Sequence, residues 1–275
     1  MLIVDAQVHL WQRVAPGSVP QRPEPFRAAE LLALMDECGV DRVVLAPTSW
    51  SDDGDDGNDV VVEAVAKHPD RFRAVGVLAL RDPKSRDRLT GWRGRGLIGF
   101  CLRFHHKHLA PLLTDGSTDW VWPAAEQAGV PVTVNAPGQL AHIGRVARDH
   151  PRLKIAIDHL GLGPAAEDPK EAVDELVRLA AFDNVVVKAD GLPNHSSVPY
   201  PFEDLHPHVC RALEAFGPKR FLWGSDLTRS WRPGCSLSSN YRQAIGMFTE
   251  HLACLTPADR ELVMGKALCD WMGWP

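Results

Sequence analysis

The chain alternates short, dense apolar runs with longer stretches in which apolar residues recur every three or four positions. The short runs are LIVDAQVHL (2–10), RVVLAP (42–47), FRAVGVLAL (72–80), LIGFCLRF (97–104), VPVTVNAP (130–137), LKIAIDHLG (153–161), NVVVKADG (184–191) and RFLWGSD (220–226). They are rich in β-branched residues and almost continuously apolar, which suits strands covered on both faces. The segments between them carry helix punctuation. AAELLALMDECG (28–39) and DWVWPAAEQAG (119–129) stop at Gly, DVVVEAVAKHP (59–69) stops at Pro69, and QLAHIGRVARDHP (139–151) follows the fifth run. DPKEAVDELVRLAAF (168–182) opens with Asp168 as N-cap and Pro169 at the first helical position. DLHPHVCRALEAFG (204–217) precedes the eighth run, and TPADRELVMGKALCDWMG (256–273) opens on a Thr256–Pro257 capping signal.

Eight strands alternating with helices predict an α/β protein, a single-domain (β/α)8 TIM barrel over 1–275. A doubly wound open sheet is the alternative, but no glycine-rich phosphate loop follows the first strand. No internal repeat or linker interrupts the pattern. The stretch SDDGDDGND (51–59) lacks the terminal Glu of a calcium loop and reads as a solvated connection.

Composition narrows the function classes. Apolar residues make up 45% of 275 positions, enough for a sizeable core. Thirty Lys and Arg against 35 Asp and Glu give a net charge of −5 with mixed signs. No basic stripe points to nucleic acid, and no run of about 18 apolar residues points to a membrane. The N-terminus lacks the basic and long apolar regions of a signal peptide, so a cytoplasmic location is expected. The six Cys residues, at 38, 101, 210, 235, 254 and 269, form no CxxC pair and no Cys/His zinc pattern. Reduced thiols, mostly packed in the interior, are the expectation. The apolar tail CDWMGWP (269–275) suits either the barrel's own surface or a second copy, leaving a homo-oligomer open.

Chemistry in such a barrel sits at the C-terminal ends of the strands. The first run brings Gln7 and His9, spaced i, i+2 and so on one face. Thr48 and Trp50 follow the second run. Arg103 ends the fourth, with His105, His106 and His108 just beyond. Asn135, the pair Asp158 and His159, the pair Lys188 and Asp190, and the pair Ser225 and Asp226 end the fifth to eighth. Singly, each has a structural reading: a packed His, an Arg capping a helix, Lys188 paired with Asp158 or Asp190. Together, so many polar groups near one rim point to a binding or catalytic mouth. RFHHKH (103–108) reads as pocket lining in preference to a metal site, since no acidic partner lies near it. Trp11, Trp50 and Trp231 suit either a wall for a ring-shaped substrate or rim packing.

VDAQVHLW (4–11) resembles the D-x-H-x-H-x-W opening of the amidohydrolase superfamily in its amidohydrolase-2 branch, and IDHLG (157–161) and FLWGSDL (221–227) resemble that branch's later motifs. The nearest subgroup is the lactonases acting on 2-pyrone-4,6-dicarboxylate, sugar lactones and sulfomuconolactone. The resemblance implies that His9 and His159 are active-site histidines, that Asp226 is the general base, and that Arg103 binds a substrate carboxylate. It also implies that a bridging Lys of binuclear relatives would lie where this chain has Arg103 and Asn135. Gln7 departs from the pattern at the first His. A neutral amide is a poor zinc ligand beside imidazole, so the expectation is no metal; if one binds, it is a single Zn²⁺ or Mn²⁺ on His9, His159 and Asp226.

The expected reaction is hydrolysis of a small anionic lactone. Asp226 deprotonates water, and His9 and His159 face the carbonyl oxygen. Gln7, Arg103, Trp50, His105, Asn135 and His195 contact the substrate. Two alternatives stand beside it: a mononuclear metal hydrolase or decarboxylase, and an inactive barrel that binds a small ligand.

Overall fold

The computed structural model describes residues 1–11, 25–48, 58–82, 84–163, 169–230 and 234–275. Trp50, Asp168, Trp231 and most of the acid-rich loop lie outside those residues. Eight strands follow in order: β1 (Val4–Leu10), β2 (Arg42–Pro47), β3 (Phe72–Val77), β4 (Leu97–Arg103), β5 (Val132–Asn135), β6 (Ile155–Ile157), β7 (Val185–Asp190) and β8 (Phe221–Gly224). Each pairs in parallel with its sequence neighbour. The barrel closes where Val8 bridges Leu227 and the His9 amide donates to the Leu227 carbonyl at 2.6 Å. The (β/α)8 barrel predicted from the apolar runs is therefore the fold.

Two apolar layers hold it. The outer layer packs the strands' outward side chains, among them Val8, Leu10, Val43 and Leu45, against the helices. The inner layer fills the barrel's lower half with Val4, Ala6, Val44, Ala46, Val75, Cys101, Ala156, Val186 and Leu222. The helix Ala267–Met272 and Trp274 close this layer from below, and the Arg42 and Arg73 guanidiniums lie 5.2 and 4.9 Å from the Trp274 ring.

In β1 the alternation breaks. Asp5 pairs with Val43 but Val8 pairs with Leu45, so three residues of β1 are matched by two of β2. This bulge lets the consecutive residues Ala6 and Gln7 both face inward, after which His9 follows Gln7 by the ordinary period of two. A second register shift lies low in β4, where Ala74 pairs with Leu97 but Val75 with Gly99; above it the inward parity runs on to the mouth. Above Val186 come Lys188 and Asp190, above Ala156 comes Asp158, and above Cys101 comes Arg103.

Three details differ from the sequence pattern. The sixth run stops being a strand at Ile157, and Asp158–Gly161 forms a tight turn with His159 (φ 54°) and Leu160 (φ 55°) in the left-handed region. The pattern also misses the helix Leu237–Gly246, whose first turn is serine-rich and weakly amphipathic. The expectation of six reduced thiols is corrected as well. Cys210 and Cys254, both half-buried, form a disulfide, while Cys38, Cys101, Cys235 and Cys269 are free thiols. The predicted cap at Thr256 is present as a reciprocal box with Asp259. No helix among the described residues is long and apolar enough to cross a membrane.

Candidate active site

At the barrel mouth Asp226 is the point of convergence. It follows β8 with φ 54°, a backbone conformation uncommon outside glycine. Its Oδ1 accepts from Gln7 Nε2 at 2.8 Å and lies 2.9 Å from His9 Nε2. Burial alone would raise this carboxyl. The hydrogen bond from His9 and the charges of His159 and Arg229 outweigh that and hold it far below the usual carboxylate range. His9 Nδ1 lies 3.0 Å from the Ala46 carbonyl, which can only accept. The two contacts of the ring are met together when it carries two protons; burial, which pushes the ring down to about 4, opposes the second. In either state with an Nε2 proton, that proton lies between His9 and Asp226.

Gln7 lies between a cation and an anion. Its Oε1 accepts from Lys188 Nζ at 2.5 Å, and its Nε2 donates to Asp226. Lys188 also donates to Asp158 Oδ1 at 2.7 Å and pairs with Asp190 Oδ2 at 2.9 Å. Two of these contacts are hydrogen bonds, and the one to Asp190 is an ion pair. All four side chains are almost fully buried. Burial opposes the charge on Lys188, but Asp158 and Asp190 raise its pKa well above the usual lysine range. Asp190 in turn is lowered to about 2, because Lys188 and His159 overcome its burial.

His159 belongs to the same network. Its backbone N–H donates to Asp190 Oδ1 at 2.7 Å, and its Nδ1 lies 3.1 Å from the Asp190 carbonyl and 3.2 Å from Oδ1. Burial would discharge the ring, but Asp190, with help from Asp226 and Asp158, raises it to about 10. The direction favours an imidazolium at neutral pH, with Nδ1–H turned to Asp190. Two glycines allow the close approach. A Cβ at Gly191 (φ 66°) would lie 3.1 Å from Asp226 Oδ2 and 3.2 Å from His159 Nδ1; one at Gly224 would lie 2.9 Å from the Asp190 Cβ.

Beneath this cluster, Asp5 fixes the first turn after β8. Its carboxylate accepts from Gln7 N, Ser225 N, Ser225 Oγ and Tyr241 OH at 2.5–3.0 Å. Burial nevertheless pushes Asp5 up to about 6.

The structure thus brings Asp226, His9, His159 and Gln7 together. Arg103 reaches across to the Pro47 carbonyl at 2.5 Å. Asn135, at the end of β5, is half-buried and is the strand partner of Arg103. The His195 ring lies 6.2 Å from that of His159 and is lowered to about 4, by burial first and then by the His159 charge. The His105 ring lies 3.9 Å from His106 and is lowered to about 2, by burial and by the cations around it. Sequence reasoning placed Gln7 and His9 against the substrate. In the structure both ends of the Gln7 amide, and both nitrogens of His9, face protein groups. Sequence reasoning also left Lys188 as a structural ion pair and did not single out Arg229, a residue inside the electrostatic reach of His9, His105 and Asp226. A lysine within VVVKAD was the available signal, since buried lysines are rare unless paired.

The fold family raises the question of a metal. Among the described residues, no three His, Cys, Asp or Glu side chains are grouped to hold one. Two of the donors already meet protein groups: Gln7 Oε1 accepts from the Lys188 ammonium, and His9 Nε2 faces Asp226.

Residues 4–267 match the protein family described as amidohydrolase. Two curated relatives are L-fucono-1,5-lactonases. One, from Burkholderia ambifaria, is 37% identical over 94 residues, 33% of this chain and 31% of that protein. The other, from Burkholderia multivorans, is 28% identical over 206 residues, 70% of this chain and 68% of that protein. The match thus spans about a third of the first relative's length. Among solved structures, an amidohydrolase from Burkholderia multivorans with bound zinc superposes with a TM-score of 0.84 at 20% identity, covering 100% of both chains, so the two share a fold.

Proposed function

The chain belongs to the amidohydrolase family, and from that premise we propose that it is a lactonase, hydrolysing a small anionic cyclic ester with water activated by Asp226 and without a metal. The observation that carries this reading is the approach of Asp226 Oδ2 and His159 Nδ1 to the space left by the missing side chain of Gly191, where the neighbouring charges favour a carboxylate on the first and an imidazolium on the second.

The steps follow from those two groups. Asp226 Oδ1 is held by Gln7 and His9, so Oδ2 is the oxygen that takes the proton of the attacking water. The water oxygen bonds to the acyl carbon, and the carbonyl oxygen gains charge. His159, with Nδ1 anchored on Asp190, offers its Nε2–H to that charge. The ring C–O bond then breaks, and the proton held by Asp226 passes to the departing alkoxide, giving an open hydroxy acid. An ester carbonyl is electrophilic enough for this without a Lewis acid. Arg103 supports an anionic substrate, because a guanidinium forks onto a carboxylate or sulfonate, and Arg229 adds a second positive charge nearby. The similarity to L-fucono-1,5-lactonases supports the lactone class. Like any enzyme of this type, it meets a small molecule as its partner.

The test is a panel of carboxylate-bearing lactones and L-fucono-1,5-lactone, assayed before and after exhaustive chelation. Hydrolysis retained in metal-free protein is the expected result. Loss that Zn²⁺ or Mn²⁺ restores would overturn the metal-free mechanism, and no turnover of any lactone would overturn the substrate class.

A further inference from the structure

We propose that Lys188 is a positioning residue that acts on Asp226 through Gln7, locking the amide so that its N–H, never its oxygen, faces the carboxylate. This rests on the reading of Asp226 as the base. Lys188 stands on β7, two residues above Val186 of the inner apolar layer, and so points into the barrel. It donates to Gln7 Oε1 and Asp158 Oδ1 and is ion-paired with Asp190 Oδ2, so protein groups surround the ammonium. With Oε1 held there, the amide NH₂ must lie on the opposite side, where Asp226 Oδ1 is 2.8 Å away.

The lock is one-way. A flipped amide would set NH₂ against an ammonium and oxygen against a carboxylate, two buried repulsions in place of two charge-assisted hydrogen bonds. The correct orientation places a donor on Oδ1 beside the one from His9 and leaves Oδ2 as the basic oxygen. Residue 7 therefore needs an acceptor at one end and a donor at the other. Glu supplies the acceptor for Lys188 but turns a second carboxylate on Asp226. Met supplies neither. The glutamine at this position is a link between the internal cation and the base.

The experiment compares wild type, Gln7→Glu, Gln7→Met and Lys188→Met. Gln7→Glu keeps its contact with Lys188, so it should keep the far-ultraviolet circular dichroism of wild type while kcat falls about 100-fold and KM stays within about threefold, as expected when a base is displaced without loss of binding. Gln7→Met should fall by a similar factor, and adding Lys188→Met to it should cause little further loss. A second readout needs no turnover. The Gln7 side-chain amide ¹⁵N–¹H₂ signal, assigned by its absence in Gln7→Met, should exchange with water at least about tenfold more slowly than exposed glutamines and should lose that protection in Lys188→Met. Should Lys188→Met fail to fold, Gln7→Glu and the wild-type exchange rate still decide. Gln7→Glu turning over within about threefold of wild type, or a Gln7 amide exchanging as fast as exposed ones, would overturn the proposal. If wild type hydrolyses no lactone, the proposed function fails alone, and amide exchange still tests the lock.

Discussion

Replacing Cys210 and Cys254 with serine should lower the stability of this barrel by about 4 kcal/mol at 25 °C. The bridge joins positions 44 apart, from the helix His206–Phe216 to the turn after residue 251. Cross-linking removes loop entropy from the unfolded chain by roughly 2.1 + 1.5R ln n cal/mol/K, and a loop of this length gives about 13 cal/mol/K. The enclosed segment holds β8, Asp226, Arg229 and the helix bearing Tyr241, so the staple constrains the strand that delivers the proposed base. Both cysteines are only half-buried, so serine should add little packing loss of its own. Urea titrations of oxidised wild type and of the double serine variant give the difference directly. A fall of roughly 7 °C in melting temperature should accompany it. Reductant should reproduce the loss in wild type and leave the double variant unchanged. A double variant within about 1 kcal/mol of oxidised wild type would refute the loop-entropy argument for this site.

Two further outcomes follow from the mouth. Asp226→Asn should keep the far-ultraviolet circular dichroism of wild type while kcat for lactone hydrolysis falls about 10²–10⁴-fold; near-normal kcat would remove Asp226 from the role of base. His159 has a folded pKa raised to about 10 against roughly 6.5 for a free imidazole, so its contribution to stability is complete below about pH 6.5 and is lost as pH rises through 10. The stability difference between wild type and His159→Gln, from denaturant titrations at several pH values, should be flat at low pH and shrink toward pH 10; a constant difference from pH 6 to 10 would show that the ring is not held protonated.

Much of the fold is legible in the sequence because the eight strands are buried on both faces, and burial of both faces writes itself as unbroken apolar runs. The limits of those runs are less legible. Asp158–Gly161 continues the apolar run of β6 in composition, yet Asp190 captures the His159 amide and turns the chain. Helix Leu237–Gly246 is hidden by its serines, though Ser236 caps it and Tyr241 reaches Asp5. In the site, strand-end position identifies His9, His159 and Asp226 as neighbours, because parity and topology suffice for that. Which groups face each other is a matter of three-dimensional pairing. The contact of Lys188 with Gln7 spans 181 positions, and no local pattern encodes it. The disulfide escapes a reading by spacing for the same reason, since it joins the helix His206–Phe216 to a turn 44 positions further on.

The bulge in β1 separates two tasks within seven residues. Below it, Val4 and Ala6 obey the packing of the barrel floor; above it, Gln7 and His9 obey the chemistry of the mouth. The same seven residues drawn out without the bulge would make a more regular strand and a better match to the pleat. It would also turn the histidine and the glutamine outward and bring Val8 into the cleft. The irregular strand is the functional one, and a search for sequences that improve the regularity of this barrel would select against its own active site.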